Sequence, residues 1–273
     1  MLAPLALALS LTVAADTITY PVMNHGIQAG EMRVVRDADS IVVTYAHIDR
    51  NRGRWVQARY GLDAQGRVIS GETRPMTRAG VVSAPADRWR VDGDSIRYQR
   101  LGNEVSAARG NGFYALNDRT ALDLAFQAQH LLAQPSRSAT ALPGTVVLRA
   151  EVVSDTTVRS ARGNARVRFV AIHTMAATPF AVWIDERGGL VASQVAWFIT
   201  VHPDFVDALP TFRAVEIAYR NAAGAALARR IPVAAQGSIA IRNATVFDSE
   251  RGVAVPNQTI LVQGDRITAV GNA

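Results

Sequence analysis

Between residues 17 and 115 apolar and polar positions alternate with a period of two, broken at short intervals by turn residues. SIVVTYAHID (40–49) is the plainest case, alternating and rich in β-branched side chains, and it predicts a half-buried strand. GLDAQGRVIS (61–70) and IDERGGLVAS (184–193) share one grammar: strand, Asp, two polar residues, Gly, strand. RVDGDSIRY (90–98) tightens it around Asp92-Gly93. The glycine supplies the positive φ of a hairpin loop, and the aspartate can bond back to its own turn. Many short strands joined this way predict an antiparallel meander.

Two stretches switch to helical spacing. DRTALDLAFQAQHLLA (118–133) sets Leu122, Phe126 and Leu131 or Leu132 on one side, with Asn117 or Asp118 as cap and Pro135 as the stop. The second runs over 204–230, with Pro210 in the first turn of the main helix and Asp204–Leu209 as a separate short turn. After Ile231-Pro232 comes the small-residue linker VAAQGS, and then strand pattern returns to the last residues. A boundary is expected near residue 235. The fold class expected is α+β: a mostly antiparallel β domain with two helices (16–235), then the first strands of a second sheet (236–273).

Residues 1–15, MLAPLALALSLTVAA, read as a secretory signal peptide. The run is too short to span a bilayer, and Val13 and Ala15 suit cleavage before Asp16, although no Lys or Arg precedes it. An exported, periplasmic or secreted protein is expected, with no stable membrane span. The absence of cysteine is compatible with export without arguing for it.

Over the 273 residues the hydrophobic share is 49% and the charged share 19%, which places the chain among globular proteins. The net charge of +6 comes entirely from arginine, since the chain has no lysine and hence no Schiff-base chemistry. The arginines are scattered, with short groupings at Arg50, Arg52, Arg54 and at Arg159, Arg162, Arg166, Arg168, and acidic residues are interleaved with most of them. A polyanion binder concentrates its charge on one stripe, so solvated strand faces are the expectation, with no nucleic-acid partner.

The candidate chemistry is sparse. His25, His47, His130, His173 and His202 form no pair at metal-ligand spacing. Alternation could aim His47 and His173 at one another, but packing or surface roles explain each histidine. His202, Pro203 and Asp204 make the most site-like trio, although Asp204 reads better as a helix N-cap. Asp49, Asp63, Asp92, Asp185 and Glu186 fall in turns. Gly110-Asn111-Gly112 lacks the third glycine and the strand–helix setting of a nucleotide fingerprint. Trp183 and Trp197-Phe198 sit in strongly β segments and read as core.

SIAIRNATVFDSERG and QTILVQGDRITAVG resemble the entry segment of the amidohydrolase superfamily, above all its imidazolonepropionase-like members. The residues that carry the likeness are Ile241, Asn243, Ala244, Val246, Phe247 and Asp248, then Ile260, Val262, Gly264, Asp265, Arg266, Ile267, Ala269, Val270 and Gly271. The resemblance covers about 35 residues, with a looser likeness of the preceding region to the extra N-terminal domain of secreted members. It implies that 236–273 begins a composite β-sandwich whose missing partner is a (β/α)8 barrel of the same polypeptide. In that family a divalent metal such as zinc activates water to hydrolyse C–N bonds other than peptide bonds. The metal-binding residues belong to the barrel, so no catalytic, cofactor-binding or metal-ligating residue is assigned here. Two readings follow: the N-terminal portion of such a hydrolase, not competent as this chain, or an exported non-enzymatic module binding an apolar or lipid-like ligand in its curved sheet.

Overall fold

The computed structural model describes residues 16–100, 102–116, 120–195, 197–230 and 237–272. The leader at 1–15, the Asn117 or Asp118 cap and the boundary near residue 235 lie outside them. The chain divides into two units, Met1–Arg220 and Asn221–Ala273.

The first unit opens with eight strands in sequence. They are β1 (Asp16–Asn24), β2 (Ile27–Arg36), β3 (Ser40–Asp49), β4 (Arg52–Leu62), β5 (Val68–Pro75), β6 (Asp87–Asp92), β7 (Ser95–Arg100) and β8 (Asn103–Ala108). Short β9 (Phe113–Tyr114) leads into α1 (Ala121–Ala133). Six strands follow: β10 (Ser138–Leu142), β11 (Val146–Ser160), β12 (Gly163–His173), β13 (Phe180–Asp185), β14 (Leu190–Val195) and β15 (Phe198–Val201). All join one 15-stranded sheet in the order β8 through β1, then β15 back through β9. β9 and β10 pair in parallel, and the other neighbours are antiparallel.

The Asp-x-x-Gly turns form as their sequence predicts. Asp63 Oδ1 accepts from the backbone N–H groups of Gln65 and Arg67, and Asp185 Oδ1 accepts from those of Arg187 and Gly189. The glycine closing each, Gly66 and Gly188, has φ of +74° and +84°.

The sheet coils back on itself. Tyr114 on β9, at one edge, donates its hydroxyl to Asp87 Oδ1 on β6 at 2.6 Å. Its ring lies 6.0 Å from Trp89 on β6 and 5.1 Å from Tyr98 on β7. α1 sits inside this coil. The expected Leu122–Phe126–Leu131 stripe is only part of its contact surface, because Leu124, Ala125 and Ala128 are buried too. A helix apolar on more than one side needs cover on more than one side, and the coiled sheet provides it. Phe126 meets Tyr60 of β4 edge to face at 5.1 Å. The N-cap is Thr120, not Asn117 or Asp118. Its backbone N–H and its hydroxyl both donate to Asp123 Oδ2, at 2.6 and 3.0 Å.

Beyond β15 a 3₁₀ turn (Pro203–Ala208) leads into α2 (Leu209–Arg230), with Pro210 in the first helical turn as expected. The turn's N-cap is His202, not Asp204: His202 Nδ1 accepts from the Asp204 backbone N–H at 3.2 Å. Phe205 and Phe212 cover a second core on the outer face, built on Phe169 and Trp183.

The second unit holds β16 (Ser238–Asp248), β17 (Val253–Gln263) and β18 (Arg266–Asn272), paired antiparallel in that order. Ile239–Val262–Ile267 and Ile241–Ile260–Val270 form two aliphatic cross-strand rows. The chain is therefore α+β, mostly antiparallel sheet with two helices.

Candidate functional site

Strand alternation gives β4 to β7 an inner face, packed on Phe126 of α1 at Tyr60 and on Tyr114 of β9 at Trp89 and Tyr98, and an outer face that meets solvent. On β4 to β7 the inner positions include Tyr60, Gly71, Trp89 and Tyr98, which stand in one cross-strand row. The flanking rows therefore point outward. One reads Arg59–Glu72–Arg88–Gln99–Glu104 and the other Ser40–Gly61–Ser70–Arg90–Arg97. Together they line an open groove of about 600 Å³. Its floor is the small-residue stretch Ser40, Gly61 and Ser70, and its walls are arginine side chains.

The charge in this groove is unbalanced. Arg97 Nε binds Asp92 at 2.6 Å, and Glu72 is held by Arg74 at 2.9 Å rather than by either arginine opposite it. Among the described residues Arg59, Arg88 and Arg90 form no ion pair. Arg90 also stands directly opposite Arg97, a like-charge cross-strand pair that costs stability unless something anionic lies between. Three arginines of the groupings visible in the sequence do have partners. Arg162 is paired with Asp204 at 2.8 Å, Arg166 grips both oxygens of Asp155 at 2.7 and 2.9 Å, and Arg54 lies over the Tyr45 ring. Inspection of the sequence missed Arg59, Arg88, Arg90 and Arg97 because they come from three strands. The usable signal was the i, i+2 spacing of Arg88 and Arg90, which puts both on one face.

A second cluster lies under α2. Glu151 Oε2 meets His173 Nε2 at 2.7 Å and accepts from the Tyr219 hydroxyl at 3.1 Å. Nearby, Glu216 Oε1 accepts from Trp183 Nε1 at 3.1 Å, Oε2 lies 3.3 Å from Arg213 Nη1, and Arg213 also binds Gln194. Burial pushes the Glu151 carboxyl up, but the hydrogen bonds from His173 and Tyr219 outweigh it, and it sits below its ordinary value. Burial pushes the Tyr219 phenol up to about 12, with help from Glu151. Burial raises Glu216 in spite of Trp183 and Arg213.

These two carboxyls give opposite pH dependences from one helix–sheet contact. Glu216 is raised when folded, so its contribution is full below the ordinary value of 4.5 and is lost as pH climbs through the folded value. Glu151 is lowered, so its contribution is present above 4.5 and is lost as pH falls through the folded value. Urea titrations across pH 3–8, a range of about five units around these transitions, should show Glu216→Gln gaining on the parent protein as pH rises. Glu151→Gln should lose on it over the same rise. Parallel curves for the two variants would contradict this assignment.

The remaining sequence candidates separate in space. The His47 ring lies tilted against that of Phe198, 3.9 Å away, while His173 binds Glu151, so the two do not face each other as partners. His130 Nε2 meets the Asn111 carbonyl at 2.8 Å, and His202 caps its turn. Burial lowers the rings of His47, His130 and His202 below the ordinary histidine value. Among the described residues no three His, Asp or Glu side chains are gathered as a metal ion would require. Trp183 is core, as its strand predicts, whereas Trp197 is exposed. The inner face of the coil holds α1.

No protein-family model matches the chain, and no curated protein matches it. A similar solved structure is a beta-barrel-like protein of the domain of unknown function DUF1849 from Brucella abortus. The two are 12% identical over 69% of this chain and 94% of that one, with a TM-score of 0.43. These findings correct the amidohydrolase reading of the terminal strands and the hydrolase activity that it implied. The physical reason lies in the hairpin. Gly264, at φ +61°, starts the turn into Asp265, and alternating aliphatics fill the cross-strand rows. Any tight hairpin imposes those requirements, so local structure is enough to explain the motif.

Proposed function

We propose that this chain is a binding module whose outer groove on β3 to β8 takes an anionic ligand. The observation that carries the reading is the set of arginines around one concavity, with Arg59, Arg88 and Arg90 unpaired among the described residues and Arg90 facing Arg97. A phosphate, sulfate or carboxylate between Arg90 and Arg97 would turn a like-charge repulsion into two charge-assisted contacts. Arginine suits this role because its planar fork reaches an oxyanion through two N–H groups at once. The hydroxyls of Ser40 and Ser70 on the floor supply neutral donors beside them. The apolar leader at 1–15 supports an exported setting for this binding.

Inorganic pyrophosphate is a suitable first probe, read by calorimetry at low salt. Binding is expected for the parent protein and should weaken with added salt. The variant Arg88→Gln with Arg90→Gln should bind at least tenfold more weakly, since each charged hydrogen bond is worth about 1.5–3 kcal/mol. Equal binding by the parent and the double variant, or none by either, would overturn the reading.

A further inference from the structure

The spacing of the arginines says more about the ligand than its sign. Arg88 and Arg90 are two residues apart on one strand, roughly 6.7 Å, and Arg97 stands one strand from Arg90, about 4.8 Å. Arg59 is two strands from Arg88, with Glu72 between them, roughly 10 Å away. One oxyanion can bridge Arg90 and Arg97, but it cannot also reach Arg59. The unpaired charge is thus spread from β4 to β6, with the Asp92-bound Arg97 beside it on β7, and a single anionic group would leave most of it unused.

The floor has the shape of a track too. Ser40, Gly61 and Ser70 follow one another across β3, β4 and β5 in the row that ends at Arg90 and Arg97. Side chains on this stretch are small or absent, so an extended ligand can lie close to the sheet. A side chain at Gly61 would collide with the Ser70 hydroxyl, so no larger residue fits there without displacing it. The adjoining row ends in Glu104 on β8, and that carboxylate turns a polyanion away from that end. The favoured path therefore enters along Ser40–Gly61–Ser70 and ends between Arg90 and Arg97, with Arg59 and Arg88 along its flank.

We infer that the ligand is a linear polyanion laid across strands β4 to β7, carrying several phosphate, sulfate or carboxylate groups. This rests on the anion-binding reading above and adds the number and arrangement of the charges.

The test is a length series with three probes: inorganic phosphate, tripolyphosphate and a linear polyphosphate of about ten units. Affinity should rise at least tenfold from phosphate to tripolyphosphate and rise again for the longer chain. The logarithm of affinity against the logarithm of salt should steepen with it, as more phosphates release counterions. Arg59→Gln should weaken the long probe several-fold and lower its salt slope by about one, and should weaken phosphate less. Thermal unfolding of Arg59→Gln should match the parent protein, because the residue is exposed and unpaired. If affinity and salt slope stay flat with length, the polyanion inference fails while anion binding stands. If none of the three probes binds, both readings fail.

Discussion

Trp183→Ala should remove about 4–5 kcal/mol of stability, a large share of the roughly 5–15 kcal/mol that a domain commonly has. The indole is fully buried between Phe169, stacked at 5.2 Å, and Phe212 of α2, stacked at 4.4 Å. Truncation leaves a cavity at the centre of the outer core and takes the Nε1–H away from the buried Glu216 carboxyl. The two losses add because they affect different groups: one removes dispersion contacts, the other leaves an acceptor in low dielectric. Trp183→Phe separates them in part, since it keeps an aromatic ring between Phe169 and Phe212 but loses the donor along with some ring volume. It should cost about 2 kcal/mol. Urea unfolding at pH 7 checks both values, and a loss below about 2 kcal/mol for the alanine would mean that α2 is not packed on this face as described.

The second large effect concerns a residue with no side chain. Gly30 on β2 lies opposite His47 on β3. A Cβ there would collide with the Ala46 carbonyl oxygen and sit 2.6 Å from His47 Cα. Both are backbone atoms of the neighbouring strand, so neither can swing aside as a side chain would. Gly30→Ala should cost about 3 kcal/mol, at the upper end for overpacking. Gly80→Ala is the control. That glycine has φ of +83° and nothing within 4 Å, so only conformational strain is at stake, about 1 kcal/mol. Equal melting temperatures for the two variants would show that β2 and β3 do not approach this closely at Gly30.

Local structure was legible where local chemistry decides it. SIVVTYAHID spans β3 from first residue to last, and Pro210 divided the 3₁₀ turn from α2 as its lost N–H requires. What the sequence concealed depends on residues far apart along the chain. Nothing in the pattern of β1 announces that its partner is β15, some 180 positions later, because any alternating strand offers the same hydrogen bonds. The stripe on α1 was read as one face because a helix wrapped by sheet cannot be told from a helix lying on it by period alone. The groove was hidden for a related reason. Its four arginines become neighbours only when the registers of β4, β5, β6 and β7 are known. The terminal hairpin misled in the opposite direction, since a dense local pattern looked like ancestry.

The pairing of β1 with β15 also bears on how the chain reaches its native state. Eight strands can form as a local meander while the chain is still emerging, but their inner face waits for α1 and the later strands to cover it. Closing the sheet needs a contact between the two extremes of the first unit, and such distant contacts are slow to find. In that interval the apolar rows of β1 to β4 have no helix against them and β1 has an open edge, the conditions under which strands pair with the wrong chain. The fold therefore favours a setting in which the chain arrives slowly or escorted, and the helix at its centre is the piece whose arrival ends the exposure.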